Sequence, residues 1–488
     1  MTVSIETTAP HGLHIDGEWR ESSSGETIEV RNMADGSLLG TVPAATPEDA
    51  QRALDAAQKG AKKWAATPAY RRVEILMAAA ALIRQRKDGL VQLLSAENGK
   101  TVADAAVEID TTARIFEGFA QESLRTFGQT IPLDIQQGFE KDLMLTVREP
   151  LGVIVGIVPF NFPAELYAHK VGAALAAGNA IVVKPPEDDP LVSVQLTEIL
   201  HEAGVPGDVL QTVTGYGEVV GDYLSRSPDI AAVSFTGSSR VGAMIAANAG
   251  SNIVRVFLEL SGNDAFIVCE DADVDFAVDQ AIAGRIYTNG QVCAATKRIM
   301  VDKSRYAEFV DKLSSRVSKL SLGDQKAEGT DVGPLVSLAA ARRVEQQVAA
   351  AISEGAAVRV GGARHDAYFE PTVLEITKEN AIATDEEIFG PVFSVLKFDG
   401  VDEAIEITNA SKFGLNAGIF TTNLPVAIDA AVRIQAGTVS VNGGNAYRPD
   451  VAAFGGYKKS GIGREGTGYT LEEFTQIKSI VLRGVLPY

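Results

Sequence analysis

Five short runs between Val153 and Leu260 are apolar almost without interruption: Val153–Val158, Ala180–Lys184, Val209–Thr214, Ile230–Phe235 and Ile253–Leu260. Segments of helical period separate them, at Ala164–Ala177, Leu191–Ala203, Glu218–Arg226 and Arg240–Ala249. A strand that is apolar on both faces must be covered on both. Strands of this kind alternating with helices therefore specify a parallel sheet sandwiched between helical layers. A second series begins at Ala265–Cys269 and runs to about Gly443, with strands at Arg298–Val301, Thr372–Ile376, Gly418–Thr422 and Thr438–Val441. The expected fold class is α/β, with two doubly wound parallel-sheet domains whose ligands sit at the carboxyl ends of the strands.

The first third of the chain reads as helices after a short β-ribbon around His14 to Arg20. Thr46-Pro47-Glu48-Asp49 has the signature of a helix start: a capping hydroxyl, proline in the first turn and acids over the positive end of the dipole. Helical period then runs through Ala50–Trp64, Ala69–Ser95 and Val102–Phe127, with a break at Gly99. About Arg125–Arg148 and the tail from about Gly468 fit neither series. They are read as a small β oligomerisation element. The expected division is 1-124 and 147-260 for the domain of the first sheet, 261-445 for the domain of the second, and 125-146 with 468-488 for the oligomerisation element.

The formal charge of −19 over 488 residues opposes binding to nucleic acid or to anionic membranes, which require a lysine and arginine excess. No run reaches the ~20 apolar residues of a membrane helix. Two cysteines and a polar start to the chain favour the cytoplasm. The five histidines are scattered and no metal is expected; the His11 and His14 pair reads as part of a mobile polar tail.

Strand Ile230–Phe235 runs into Thr236-Gly-Ser-Ser-Arg-Val-Gly242 and then a helix. A glycine at such a turn admits a phosphate to the backbone at a helix N-terminus, or simply starts an ordinary helix. The fingerprint Gly-x-Gly-x-x-Gly is absent, and Gly215-Tyr-Gly-Glu-Val-Val-Gly221 has one residue too many. Lys184-Pro-Pro-Glu187 follows another strand on the same edge. Glu187 there is either a solvated loop residue or a carboxylate that accepts both hydroxyls of an adenosine ribose and repels a 2′-phosphate, which leans toward NAD over NADP.

Cys269 lies in an apolar strand and reads as a small buried hydrophobe. Cys293, in Asn289-Gly-Gln-Val-Cys-Ala-Ala-Thr-Lys297, follows a glycine in a loop context and is a candidate nucleophile. Glu259 ends an apolar strand, where a carboxylate is costly unless paired, used or turned to solvent. Asn161, in Pro159-Phe-Asn-Phe-Pro163, either caps a helix or donates to an oxyanion.

Taken in order, Pro159–Pro163, Lys184–Glu187, Phe235–Gly242, Glu259–Gly262, Gln291–Cys293, Glu387-Ile-Phe-Gly-Pro391 and Phe454-Gly-Gly-Tyr-Lys-Lys-Ser-Gly-Ile-Gly-Arg-Glu465 resemble the motifs of the NAD(P)-dependent aldehyde dehydrogenase superfamily, over nearly the whole chain. The resemblance implies Cys293 as nucleophile, Glu259 as general base and Asn161 as oxyanion donor. It places Pro159, Phe235 and Gly237 in the walls of the cofactor site, Lys184 and Glu187 on the adenosine ribose and Ser238 on the pyrophosphate. Glu387 and Phe389 go to the nicotinamide ribose and ring. Phe160 stands where many members carry tryptophan, Ser261 replaces a common glycine, and Pro186 replaces a frequent serine or alanine. The implied cofactor is NAD, with NADP as the alternative, and the implied assembly is a homodimer or homotetramer joined through Arg125–Arg148 and a strand Ser479–Val485.

Phe160, Phe162, Leu166, His169, Tyr287, Val292 and Tyr447 are expected near the substrate. This mostly apolar set suits a medium aliphatic or aromatic aldehyde. Arg448 raises the alternative of a carboxylate-bearing semialdehyde, against the reading of a surface-exposed arginine. A CoA-acylating relative is disfavoured by Glu259, and a catalytically silent homologue by the intact Cys293, Glu259 and Asn161.

Overall fold

In a computed structural model, which describes residues 12–487, five strands run parallel in the spatial order Leu210–Thr212, Ala180–Lys184, Val153–Ile157, Ala232–Thr236 and Arg255–Glu259. The ribbon Leu13–Ile15/Glu18–Arg20 closes one edge antiparallel, and the short strand Gly461–Ile462 closes the other beside Glu259. Val153–Ile157 and Ala180–Lys184 are buried throughout, as two-sided coverage demands. The second sheet has the order Ala357–Val360, Thr372–Glu375, Val392–Phe398, Arg298–Asp302, Ala265–Val268, Asn416–Phe420, Thr438–Val441, and only its first strand is antiparallel. A separate antiparallel sheet joins Thr130–Pro132, Leu143–Pro150 and Thr475–Leu482, with Ile477 and Val481 of its outer strand exposed.

Several boundaries shift for local reasons. Ile253 adopts a positive φ of 58° and is 93% exposed, so its strand begins only at Arg255. The segment Glu218–Arg226 divides into a wide turn, Gly217–Gly221, and a short helix, Asp222–Arg226. Helical period through Ala69–Ser95 resolves into Ala69–Gln85 and Lys87–Asn98, so that Leu76, Ile83, Leu90 and Leu94 all bury in one core. The helix from Val102 stops at Ser123 and leaves Phe127 exposed. Before the last strand, Thr467–Glu473 forms a helix rather than β-structure, and its Leu471, with the adjoining Phe474, joins the main core.

The mobile-tail reading does not hold for His14, and His11 lies outside the described residues. His14 is buried in the first strand, within hydrogen-bonding distance of the Leu210 carbonyl (3.3 Å) and stacked on His201. Among the described residues, no helix is long and apolar enough to cross a membrane, and no group of histidine, cysteine and acidic side chains is arranged to hold a metal.

Thr46 and Asp49 form a reciprocal capping box at the start of helix Pro47–Ala65. Trp64, near its end, is buried and donates its indole N–H to the Leu175 carbonyl at 2.9 Å. Gly99 ends helix Lys87–Asn98 with φ +89°, and a Cβ on it would fall on the carbonyl oxygen of Pro334, in the chain that belongs with the second sheet. Gly99→Ala should therefore combine backbone strain with overpacking and cost about 3 kcal/mol, read as a lowered Tm in a thermal melt.

Candidate active site

The carboxyl ends of the first sheet's strands open into one cleft of about 1520 Å³. Ile157, Lys184, Thr236 and Glu259, each the last residue of its strand, all line it. The cleft brings together Pro159, Phe160, Asn161, Lys184, Glu187, Phe235, Gly237, Ser238, Glu259, Cys293, Glu387 and Phe389, drawn from segments far apart in the chain.

At one end of the cleft, the buried Lys184 donates to the Pro185 carbonyl at 2.7 Å and pairs with Glu187 at 2.9 Å. Burial pushes the Glu187 carboxyl up, but Lys184 outweighs it and holds the group below its ordinary value. Glu187 is thus an ionised acceptor on the cleft wall. Phe235 leads into the Gly237 turn, where a Cβ would collide with the Phe235 ring. Ser238 then caps helix Ser239–Gly250 by accepting from the Val241 N–H at 3.3 Å. A helix N-terminus, a charged acceptor for hydroxyls and the Phe389 ring along one cleft fit a dinucleotide.

Cys293 is presented by a loop in an uncommon backbone conformation. Thr288 and Asn289 have φ of 50° and 57°, and Gly290 follows at 78°. Such a run of left-handed residues persists only where its surroundings over-determine it. Here Asn289 donates its side-chain amide to the carbonyls of Gly99 and Pro334, both at 2.9 Å, and its Oδ1 accepts from the Gly333 N–H at 2.7 Å. Asp104 accepts from the Thr288 N–H at 3.0 Å, and Gln291 accepts from the Val336 N–H at 3.1 Å. A Cβ on Gly290 would strike the backbone of Gly390. Burial pushes the Cys293 thiol up to about 12, opposed by the positive charges of Lys297 and Arg448.

Glu259 is buried, and its Oε2 has no hydrogen-bond partner among the described residues. Burial and the nearby Glu465 push its carboxyl well above the ordinary carboxylate range. Burial acts on Glu465 in the same direction, but Lys170, His169 and Arg448 overcome it and hold that carboxyl down to about 2. Two carboxyls whose surroundings drive them apart in this way mark an acid–base site. Lys170, 3.5 Å from Glu465, also donates to the Thr236 hydroxyl at 2.7 Å. Neither Lys170 nor Glu465 was expected to contribute from sequence. The available signal for Lys170 was a lysine in the middle of a largely apolar helix, Glu165–Ala177, beside His169.

The remaining pocket candidates do not line the cleft. Phe162, Leu166 and Val292 are buried in the main core, and Tyr287 packs against Phe162 with ring centroids 5.5 Å apart. Phe162 sits in the core while the neighbouring Phe160 and Asn161 line the cleft. His169 is fully buried, and burial pushes its imidazole down to about 3; its Nε2 accepts from Arg448 at 3.2 Å. Tyr447 is 72% exposed. The reading of Arg448 as a surface arginine is corrected: its side chain is 15% exposed, pairs with Glu465 at 2.8 Å and Glu165 at 3.9 Å, and lies over the Phe454 ring. An arginine so enclosed persists because its charge is met by acids on two sides.

The aldehyde dehydrogenase family model matches residues 19–480. A 3-sulfolactaldehyde dehydrogenase of Priestia aryabhattai is 38% identical over 480 residues, covering 98% of this chain and 99% of that protein. A succinate-semialdehyde dehydrogenase [NADP(+)] of Escherichia coli is 37% identical over 468 residues, covering 95% of this chain and 96% of that protein. Among solved structures, a succinate-semialdehyde dehydrogenase from Burkholderia pseudomallei superimposes with a TM-score of 0.94 at 37% identity, covering 97% of this chain and 98% of that one.

With its thiol held so high, Cys293 in the cofactor-free protein should react slowly with iodoacetamide at neutral pH. Its alkylation rate should climb about tenfold per pH unit between pH 7 and 9. Mass spectrometry of the Cys293 peptide checks this, and a plateau inside that range would contradict it.

Proposed function

The chain belongs to the aldehyde dehydrogenase family, and we propose that it oxidises an aldehyde to the corresponding carboxylic acid with NAD as the hydride acceptor. The observation that carries this reading is the single cleft holding Cys293, Glu259 and Asn161 next to the Lys184/Glu187 and Gly237 loops. In the proposed cycle the Cys293 thiolate adds to the aldehyde carbon. The Asn161 side-chain amide and the Cys293 backbone N–H then hold the oxyanion, each worth about 3 kcal/mol. Lys184 and Glu187 hold the adenosine ribose, the Gly237–Ser238 turn meets the pyrophosphate, and Glu387 and Phe389 flank the nicotinamide. A bound nicotinamide would supply the hydride acceptor, and Cys293 would be left holding the acyl group as a thioester. Glu259 takes a proton from water, which attacks the thioester and releases the carboxylate. Because burial raises its carboxyl, Glu259 becomes a base only as pH rises, so hydrolysis accelerates toward alkaline pH.

The ionised Glu187 would repel a 2′-phosphate, which favours NAD here even though the Escherichia coli relative is named for NADP. Arg448 is already met by Glu465 and Glu165, so a substrate carboxylate would have to displace an acid to reach it. This supports an uncharged medium aliphatic or aromatic aldehyde, received against the Phe160 side of the cleft. The alternative of a semialdehyde draws on the names of the relatives and on the inward position of Arg448.

In this reading, 1-124 and 147-260 bind the nucleotide, 261-445 carry the catalytic loop, and 125-146 with 468-488 form an arm between subunits. The exposed apolar strand Thr475–Leu482 and the exposed Leu424, Ile428 and Val432 suit burial in a homodimer or homotetramer. The free thiols of Cys269 and Cys293 suit a reducing compartment such as the cytoplasm.

Following NADH absorbance, Cys293→Ala should abolish turnover with the fold intact. Glu259→Gln should give one burst of NADH per active site, then steady turnover lower by about 10²–10⁴-fold and no longer rising with pH. On a panel of hexanal, benzaldehyde and succinic semialdehyde, kcat/KM should be highest for the uncharged pair and at least about tenfold higher with NAD than with NADP. A clear preference for succinic semialdehyde would establish the alternative.

A further inference from the structure

Lys297, four residues after Cys293, is only 3% exposed. Its ammonium donates to the Gly262 carbonyl at 2.6 Å, to the carbonyl of Cys293 itself and to Glu387 Oε1, and it lies 5.6 Å from the centre of the Phe389 ring. Three N–H groups meet three acceptors, which is what allows a lysine to be buried with its charge. The acceptors come from three separate places. Gly262 follows the strand that ends in Glu259, Cys293 sits on the strained loop, and Glu387 precedes strand Val392–Phe398 of the second sheet. Glu387 Oε1 also faces the Gly262 N–H at 3.4 Å, so Lys297 and Gly262 share one carboxylate oxygen. The other oxygen of Glu387, a residue that lines the cleft, is not taken by the lysine.

We propose that Lys297 is a positioning residue that aims Glu387 at the cofactor ribose and links the charge on Glu387 to the reactivity of Cys293. The ribose part of this inference rests on the function proposed above; the link to the thiol does not. Two charges within hydrogen-bonding distance compensate each other, so whatever occupies or neutralises Glu387 exposes the thiol to more of the lysine's charge. Lys297 is also the largest influence opposing the burial that raises the Cys293 thiol.

The test pairs cofactor-free alkylation of Cys293 by iodoacetamide with NADH binding by fluorescence titration, in wild type, Lys297→Met, Lys297→Arg, Glu387→Gln and the Lys297→Met/Glu387→Gln double variant. Glu387→Gln should speed alkylation at pH 8 several-fold, and that acceleration should vanish in the Lys297→Met background. Lys297→Met should weaken NADH binding by about tenfold. Lys297→Arg, which keeps the charge, should stay within about threefold of wild type. The inference is overturned if Glu387→Gln leaves alkylation unchanged, or accelerates it equally without Lys297, or if Lys297→Met binds NADH as wild type does. Should Lys297→Met fail to fold, Glu387→Gln in the otherwise unaltered protein decides alone. Failure of the wild-type protein to bind NADH would instead refute the proposed function, while the alkylation result would still judge the role of Lys297.

Discussion

One buried side chain, Asn289, holds the catalytic geometry together. Its amide donates to the carbonyls of two segments far apart in the chain, at Gly99 and Pro334, and its carbonyl receives the Gly333 N–H. An asparagine in the interior is costly unless its polar atoms are met. Here the bonds that satisfy it also hold the left-handed backbone from Thr288 to Gly290 in place. The position of Cys293 is therefore set by the relative placement of the helical layer, the second sheet and the loop at once. The positive φ at Gly99 and the close approach of Gly290 to Gly390 belong to the same constraint, since a Cβ at either glycine would push these layers apart.

Electrostatics around the thiol follow from burial in a strongly acidic chain. Glu259, Glu465 and Glu165 crowd one side, and Lys170 and Arg448 answer them, with Arg448 paired to both Glu465 and Glu165. Because both cations sit nearest Glu465, that acid keeps its charge and Glu259 bears the unfavourable share. Glu259 is thereby held toward its uncharged form, as the proposed role of accepting and releasing a proton requires. Lys297 adds a further buried positive charge, donating to the Cys293 carbonyl and to Glu387.

Much of this was legible in the sequence because it depends on one-dimensional signals. Continuous apolar runs such as Val153–Ile157 announce a sheet covered on both faces, and glycine, proline and capping residues at Thr46, Gly99 and Gly237 mark ends of elements. Lys184 and Glu259 end their strands and Ser238 follows another, so placing the strands placed these candidates in the cleft. What stayed hidden depends on pairing across distance. Arg448 reads as a surface arginine until Glu465 and Glu165 are seen beside it, and Lys170 and Lys297 look like ordinary lysines until their acceptors are counted. His14 reads as tail because nothing local shows that it pairs with Leu210 and stacks on His201. The facing of Phe162, Leu166 and Val292 into the core is likewise set by packing against elements remote in sequence.

The edge of the first sheet beside Glu259 is finished by residues from the far end of the chain. Ser460 accepts the Leu260 N–H, Gly461 pairs with Glu259, and only a residue without a side chain fits at Gly455 against the Glu259 carboxylate. During synthesis Cys293 and the strands that open into the cleft therefore emerge from the ribosome before the residues that surround Glu259 exist. A nascent chain halted between Cys293 and Glu465 carries the sulfur but lacks the charged neighbour of Glu259, so the full electrostatic surroundings of this carboxyl are among the last features the molecule acquires.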